Sequence, residues 1–220
     1  SNANYGWILN MVSKLSSNGV AGFILANGAL SADGAEGAIR QKMIERGLVE
    51  AIVILPRNLF YSTDISVTLW ILNANKKARV VNRNGEEIHY RDREKEILFM
   101  DMRQMGKPFE KKYVRFTDED IRKVADTYHN WQREGHTETY ADVPEFCKSV
   151  SVDEEGGIAD KGFSLVPSKY IEFVNCDEAV DYDTRMKELQ TELADILRQE
   201  AESREAVLNV FKSLGYEIKL

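Results

Sequence analysis

The sequence predicts an α/β fold, in which strands and helices alternate in one sheet and a helical C-terminal region ends in one long helix. Three observations predict this fold. Apolar runs at 20–26, 51–55 and 66–72 have the length of buried strands. A helical pattern at 36–46 separates the first two runs. An apolar three-four spacing over 182–214 is typical of a long amphipathic helix.

The N-terminal half alternates helix and strand. Apolar residues at helical spacing predict a first helix over 5–15, and the small polar residues 16–19 end it. The second helix is followed by Gly47, a residue type common just past a helix end. Too few residues separate strands 51–55 and 66–72 for a helical crossover, so we expect these strands to form an antiparallel pair.

The C-terminal half carries local turn and helix-start signals. Asn84-Gly85 is a strong turn dipeptide, and residues 96–102 have the pattern of another strand. Thr117 is a natural helix N-cap, and Asp120 stands at the third helical position, where a carboxylate suits the helix dipole. Residues 135–170 are predicted to be rich in loops.

Composition places the chain among ordinary soluble proteins. Hydrophobic residues make up 43% and charged residues 30%, and no apolar run approaches the ~18 residues of a membrane span. The two cysteines, Cys147 and Cys176, have neither a disulfide framework nor metal-ligand spacing. We therefore expect a cytoplasmic protein with reduced thiols, no metal site and no membrane contact. Residues 1–3 look like the scar of a removed purification tag and carry no fold information.

Charge is distributed unevenly along a chain whose formal net charge is −7. Residues 76–115 contain twelve Lys or Arg against seven Asp or Glu, whereas residues 177–205 contain four against ten. Two interpretations remain open. Both segments could be ordinary solvated surfaces. Alternatively, the first is a basic face near nucleic acid and the second is an acidic helix that meets a protein.

Several stretches of the chain resemble one known family. The first two are G-F-I-L-A-N-G at 22–28 and L-P-R-N-L-F-Y-S-T-D-I at 55–65. They resemble the second half of the catalytic domain of type I restriction-modification methylase subunits, which are adenine-specific DNA methyltransferases. E-I-L-F-M-D-M-R at 96–103 and the stretch 117–131 resemble the tail of the same subunits, in the same order. The resemblance covers most of residues 4–173.

The resemblance implies a more specific fold and a domain order. The sheet would be a partial Rossmann-like methyltransferase sheet, made of its later strands with an antiparallel strand pair. Residues 4–115 would be the C-terminal half of the catalytic domain, 116–176 a helix and loop-rich extension, and 177–220 a long helix for subunit contact. The residues expected to contact a partner are Met186, Leu189, Leu193 and Ile196.

The resemblance also indicates candidate site residues. In the family, the stretch around Phe60 and Tyr61 faces the target adenine, which must leave the base stack before it is methylated. We expect Phe60, and second Tyr61, to form an aromatic platform for that base. Without the family, two aromatic residues in a loop indicate a small packing cluster. Asn27 and Gly28 follow a strand end, where α/β sheets bind ligands, and would lie on the rim of the active site. Their alternative role is a flexible loop that caps the next helix.

Two motifs of the family are absent from the sequence. There is no glycine-rich turn for the methyl donor S-adenosylmethionine, and the four prolines are never adjacent, so the Asn-Pro-Pro-aromatic motif that binds the adenine amino group is missing. We therefore expect no catalytic residue in this chain and no activity from the chain alone. The glycines 28, 34 and 37 also lack the spacing of a dinucleotide fingerprint, which argues against a nucleotide-binding Rossmann enzyme.

The implied parent protein methylates the exocyclic amino group of adenine in DNA with S-adenosylmethionine as cofactor. Its implied partners are DNA, a specificity subunit that reads the sequence, and a restriction subunit. A partner that supplies phosphate contacts would explain an acidic chain in a DNA enzyme. The alternative is a non-enzymatic interaction module that binds a partner through its long helix. In the isolated chain that helix is expected either to pack back onto the sheet or to pair with a second copy in a homodimer.

Overall fold

A computed structural model describes residues 3–173 and 182–214. The chain divides after residue 173 into two compact units. In chain order, the strands and α-helices of the first unit are α1 (Asn4–Lys14), β1 (Val20–Ala26), α2 (Gly34–Glu45), β2 (Val49–Ile54), β3 (Val67–Asn73), β4 (Arg79–Arg83), β5 (Glu86–Tyr90), β6 (Glu96–Asp101), β7 (Lys107–Phe109), β8 (Tyr113–Arg115), α3 (Asp118–Gln132), α4 (His136–Thr139) and β9 (Cys147–Ser151). The second unit contains helix α5 (Tyr182–Ser213). The domain boundaries expected at residues 115 and 176 stay predictions.

The first unit is built on one five-stranded mixed sheet with the order β1-β3-β2-β6-β9. Strand β3 pairs antiparallel with both β1 and β2, which confirms the antiparallel pair expected from the short connection. Strands β2 and β6 are parallel, and β9 is antiparallel to β6. The predicted α/β fold with a long terminal helix is therefore confirmed. Because β3 inserts between β1 and β2, the strands joined by α2 are not neighbours.

Strand β2 lies at the centre of the sheet, and all six of its residues are buried. Its side chains alternate between two apolar clusters, one on each face. Ile52 packs with Trp70 and Phe99 on the first face, whereas Val53 packs with Leu98 on the second. Helices α1 and α2 contribute to the first cluster, and Trp131 of α3 contributes to the second. A strand that is covered on both faces has a continuous run of apolar residues, and this explains why the sequence predicts β2 clearly.

Helix termini follow their local sequence signals. The Thr117 hydroxyl accepts a hydrogen bond from the Asp120 N–H at 3.2 Å, and the Asp120 carboxylate accepts one from the Thr117 N–H at 2.8 Å. This reciprocal capping box confirms the predicted start of α3. Gly47 follows the end of α2 with φ +65°, and a β-carbon there would lie 3.1 Å from the Glu94 carbonyl oxygen. Both the left-handed backbone and the close approach favour glycine.

The segment predicted to be rich in loops, 135–170, contains regular structure. Strand β9 completes the sheet there, and the short helix α4 precedes it. The sequence of β9, C-K-S-V-S, has little strand propensity, so pairing with β6 decides its conformation. The turn predicted at Asn84-Gly85 joins the antiparallel strands β4 and β5. A second hairpin, β7–β8, had no predicted counterpart.

Among the described helices, none is long and apolar enough to cross a membrane. Cys147 is a buried free thiol on β9, and burial raises its pKa. Cys176 lies outside the described residues.

Candidate functional site

The candidate site residues lie at one edge of the sheet. Strands β2 and β6 are parallel, and β3 is antiparallel to both β1 and β2, so the carboxyl ends of β1, β2 and β6 share this edge. We call it the carboxyl edge. Asn27 and Gly28 follow β1 there, and the loop 55–66 with Phe60 and Tyr61 follows β2. The fold thus brings residues that are distant in the sequence to the same edge.

Asn27 and Gly28 begin a short 3-10 helix, Asn27–Leu30, rather than a flexible loop. The Asn27 side-chain oxygen accepts a hydrogen bond from the Thr68 hydroxyl at 2.5 Å, which ties the end of β1 to β3. Gly28 is exposed, and a β-carbon added there would meet no atom within 4 Å. Its position on the edge is compatible with ligand access, but packing does not require a glycine.

Hydrogen bonds fix the conformation of the loop after β2. Asn58 has a left-handed backbone with φ 58°, and its carbonyl oxygen accepts a hydrogen bond from the Val114 N–H at 3.0 Å. The Arg57 side chain donates to the Asp64 carbonyl oxygen at 3.1 Å. The loop is therefore attached to strand β8, which belongs to the hairpin 107–115.

The two aromatic candidates point into different environments. Phe60 is half-buried and packs against the apolar cluster that contains Trp131. Tyr61 is 71% exposed, and its ring meets the Tyr113 ring in an edge-to-face contact with 4.7 Å between centroids. Phe60 thus forms the base of the loop, whereas Tyr61 presents its ring at the surface. The platform role of either ring stays a prediction.

A concave pocket of about 280 Å³ opens between this loop and the β7–β8 hairpin. We call it the hairpin pocket; its lining residues are Leu59, Tyr61, Phe109, Tyr113, Val114, Arg115 and Phe116. The Lys112 ammonium lies 5.1 Å from the Tyr113 ring centroid, and the Arg115 guanidinium carbon lies 5.7 Å from the Phe109 centroid. Sequence reasoning missed this hairpin, although its run K-P-F-E-K-K-Y-V-R interleaves cationic and aromatic residues.

The basic segment 76–115 does not form one basic face. Lys76 and Arg93 are buried in the interior, and Arg91 forms a bidentate pair with Glu96 at 2.7 and 2.8 Å. The exposed cations without an ion pair in the part of the chain that the structure describes include the four of the hairpin, Lys107, Lys111, Lys112 and Arg115. Positive charge available to a ligand is therefore concentrated beside the hairpin pocket.

Polar side chains at the strand ends are already paired. Asp101, at the end of β6, is buried, and its carboxylate accepts hydrogen bonds from Arg103 Nε at 2.9 Å and Nη2 at 2.6 Å. This contact raises the pKa of the Arg103 guanidinium. The Asn27 side-chain oxygen likewise accepts a hydrogen bond from Thr68, so the side-chain oxygens at these two strand ends have partners within the protein. Within residues 3–173 and 182–214, no cluster of His, Cys, Asp and Glu could hold a metal ion.

Helix α5 presents its own candidate surface. The four seam residues expected to contact a partner are all exposed, with Leu193 at 56% and Ile196 at 61%. On the rest of the helix, ion pairs at three or four residue spacing link Arg185 to Glu188 and Arg204 to Glu200. The helix is thus amphipathic, and an apolar seam of this length is typical of a surface that packs against another helix.

Comparison with known proteins places the chain among DNA methylases. The sequence model of the family described as N-6 DNA methylase matches residues 1–179. The HindI methylase subunit of a type I restriction enzyme from Haemophilus influenzae is 36% identical over 218 residues, which are 98% of this chain and 44% of that protein. The MjaIX methylase subunit from Methanocaldococcus jannaschii is 32% identical over 98% of this chain and 36% of that protein. The chain therefore spans less than half the length of these relatives.

Solved structures give the same result. The methyltransferase subunit of a type I restriction-modification system from Streptococcus thermophilus superposes with a TM-score of 0.62 at 25% identity, over 79% of this chain and 31% of that one. A second chain comes from a structural study of complex assembly and conformational transition of the type I system. It superposes with a TM-score of 0.52 at 18% identity, over 94% of this chain and 40% of that one. The second likeness supports the fold alone.

Proposed function

This chain belongs to the N-6 DNA methylase family and is part of a type I restriction-modification methylase subunit, and we propose that its parent protein methylates the exocyclic amino group of adenine in DNA. The observation that supports this most strongly is a 36% identical methylase subunit that aligns with 98% of the chain. Within that activity, we propose that the chain supplies the surface that receives the target base.

The loop after β2 is the part of the chain suited to receive an extruded adenine. A base in the duplex is stacked on both faces, so a methyltransferase has to take it out of the stack. Aromatic side chains then replace the lost stacking. Phe60 lies half-buried beneath the loop, and Tyr61 presents an exposed ring. Phe60 holds the loop and forms the inner wall for the base, and Tyr61 is the second contact.

The methyl donor S-adenosylmethionine supplies the transferred methyl group in this proposal, but the residues of this chain do not fit it. Asn27 and Asp101 are engaged by Thr68 and Arg103, and the glycine-rich turn that binds the donor in the family is absent from the sequence. We therefore assign donor binding to other parts of the whole subunit and derive no step through it. Asn27 and Gly28 contribute to the rim.

The proposed partners are DNA, a specificity subunit and a restriction subunit, in a cytoplasmic complex. Helix α5 supports a subunit contact, because its seam of Met186, Leu189, Leu193 and Ile196 is exposed. The same exposed seam favours the alternative function, a non-enzymatic interaction module. A methyl-transfer assay of the whole subunit distinguishes the two functions. A subunit of a DNA methylase methylates DNA, whereas a subunit that is only an interaction module binds its partner and leaves DNA unmethylated.

The proposal is tested by Phe60→Ala in the whole methylase subunit assembled with its partner. Loss of one stacking contact should slow methyl transfer by the equivalent of ~1–3 kcal/mol, while binding of S-adenosylmethionine is unchanged. Transfer is measured with radiolabelled donor and donor binding by calorimetry. Phe163→Ala is the matched control, because that half-buried phenylalanine packs against the apolar cluster on the other face. If Phe60→Ala and Tyr61→Ala both retain wild-type transfer, the base-platform role is wrong.

A further inference from the structure

We propose that the β7–β8 hairpin, together with Tyr61, binds a single-stranded segment of DNA, with its rings stacked on bases and its cations on phosphates. This inference deepens the proposed function and rests on it. The bound segment is the part of the target strand that flanks the extruded adenine. The hairpin is thus a contact surface beside Phe60 that shares Tyr61 with the base platform, and its own residues act on the strand rather than on the reacting base.

The rings of the hairpin pocket are arranged to receive planar groups. Tyr61 and Tyr113 meet edge to face with their planes at 70°, which leaves a face of Tyr61 open because its side chain is exposed. Phe109 lies beside them in the same pocket. Nucleobases stack on such rings whatever their identity, because every base has a π face. Stacking therefore favours unpaired bases, so the proposal includes opening of the base pairs next to the extruded adenine.

The cations of the hairpin are placed to meet phosphates. Residues 107–115 contain four Lys or Arg and one carboxylate, Glu110, in a chain with a net charge of −7. Lys112 and Arg115 lie over the rings of the pocket, so a strand stacked on those rings would carry its phosphates past them. Within the described residues, neither forms an ion pair that a phosphate would have to break.

The hairpin is held in place against the sheet. The Val114 N–H donates to the Asn58 carbonyl oxygen, which fixes β8 to the loop that carries Tyr61. At Gly106, φ is +93° and a β-carbon would lie 2.6 Å from a Val114 methyl carbon, so the chain enters the hairpin through a position that only glycine fits. The rings and cations are thus presented by a fixed scaffold, and this lowers the entropic cost of binding.

Charge complementarity and the interleaved rings indicate the occupant. An acidic protein surface would satisfy the cations but offers few planar groups for exposed tyrosine rings. Duplex DNA offers phosphates, but its bases are stacked on each other and closed to the rings. A single strand offers both groups at short, regular spacing, and this combination is typical of proteins that bind single strands.

The cations are tested with the chain itself and a fluorescein-labelled single-stranded oligonucleotide of roughly 12 nucleotides. Anisotropy gives the dissociation constant between about 50 and 200 mM salt. The Lys111→Ala, Lys112→Ala double variant should reduce the slope of log affinity against log salt by about 1.4, because two phosphate contacts are lost. The control is Lys77→Ala, Lys95→Ala. This control removes the same charge from the same basic segment. Because Lys77 pairs with Glu94 at 3.9 Å and Lys95 with Asp153 at 3.0 Å, the slope of log affinity against log salt should stay at the wild-type value.

The rings are tested with a second oligonucleotide of the same length that is abasic throughout. Tyr61→Ala and Tyr113→Ala should each weaken binding of the base-bearing strand on the order of tenfold, and leave binding of the abasic strand unchanged. Tyr113→Phe retains the ring and should bind like the wild type. Circular dichroism checks that each variant keeps the wild-type fold.

Three outcomes would overturn the inference: no binding of the single strand by the wild-type chain, equal slopes for the hairpin and control variants, or equal competition by poly-glutamate and by the oligonucleotide. The last would assign the hairpin to an acidic protein surface. None of these depends on methyl transfer, so a failure here is distinguishable from a failure of the proposed function, which shows itself only in the transfer assay of the whole subunit.

Discussion

At the scale of single residues, one buried carboxylate organises the polar interior at the end of the sheet opposite the carboxyl edge. Glu50 of β2 is fully buried and accepts hydrogen bonds from Arg93 Nε at 3.1 Å and Gln132 Nε2 at 2.9 Å, and a further one from Asn73. Burial and the nearby Glu50 carboxylate raise the pKa of Tyr128. The network joins β2, β3 and α3, so these elements share one set of charged contacts.

We expect Glu50→Leu to lower the free energy of unfolding by about 3–5 kcal/mol, because it leaves the buried Arg93 guanidinium without its counter-charge. Urea denaturation followed by circular dichroism measures the change. Glu45→Leu is the control, since the same substitution on the exposed side of α2 should cost less than about 0.5 kcal/mol. Adding Arg93→Leu to Glu50→Leu should recover part of the loss. A single variant as stable as the control would show that the pair contributes nothing.

Lys76 predicts a specific pH dependence of stability. Burial lowers its pKa to about 7, and its ammonium donates to the Val49 and Glu96 carbonyl oxygens at 2.7 and 2.6 Å. The unfolded chain takes up this proton near the ordinary pKa of 10.5, whereas the folded chain takes it up only near 7. Stability from this site therefore falls as pH drops from about 10.5 to about 7 and is constant below.

We compare wild type with Lys76→Met by urea denaturation at several pH values. Relative to the variant, wild type should gain stability between pH 7 and 10.5, by no more than about 1.4 kcal/mol per pH unit. Both proteins share every other titrating group, so the difference isolates Lys76. A difference that does not change with pH would mean that Lys76 keeps an ordinary pKa in the folded chain.

At the scale of elements, helix α5 is expected to be the subunit-docking element. An apolar seam exposed along a helix gains stability when another helix covers it. Leu193→Asp with Ile196→Asp places two charges in that seam, and it should abolish association with the specificity subunit while the sheet stays folded. A pull-down and a circular dichroism spectrum measure the two effects.

The matched control for α5 is Thr191→Asp with Ala194→Asp, which adds the same charges at the same spacing on another side of the helix. The control should bind the specificity subunit normally. If the seam variant also binds normally, with an unchanged spectrum, the seam is not the docking surface.

At the scale of the whole molecule, we propose that the chain combines a base-receiving surface with an interaction helix and leaves binding of the methyl donor to other parts of the subunit. We expect the purified chain to bind S-adenosylmethionine weakly or not at all and to leave DNA unmethylated. The reason is that the glycine-rich turn and the Asn-Pro-Pro-aromatic motif of the family are absent from the sequence. Calorimetry measures binding of S-adenosylmethionine and a radiolabelled assay measures methyl transfer, with the whole subunit as positive control for each. Micromolar binding or clear turnover by the chain alone would contradict this.

The sequence by itself determined those strands, turns and helix ends that depend on residues close together in the chain. The apolar run of β3, the antiparallel pair and the capping box at Thr117 are predictable because burial, chain length and capping chemistry all act within a few residues. The run at 20–26 also predicts a strand, but β1 lies at the sheet edge and alternate residues are exposed there. Short stretches such as 55–65 also identify the family, which the match to the N-6 DNA methylase model confirms. The predicted roles of Phe60 and Tyr61 rest on that resemblance and stay predictions.

Only the tertiary structure decided what depends on contacts between distant residues. The pairing of β6 with β9 makes a strand of the mixed run C-K-S-V-S, since a ladder partner overrides weak propensity. Within the basic segment 76–115, Lys76 and Arg93 are buried, whereas the cations of 107–115 are exposed. The contact between Tyr61 and Tyr113 joins the loop after β2 to strand β8, and the two residues are 52 positions apart in the chain. No local pattern encodes such a contact, because it forms only when the fold has brought the loop and the hairpin together.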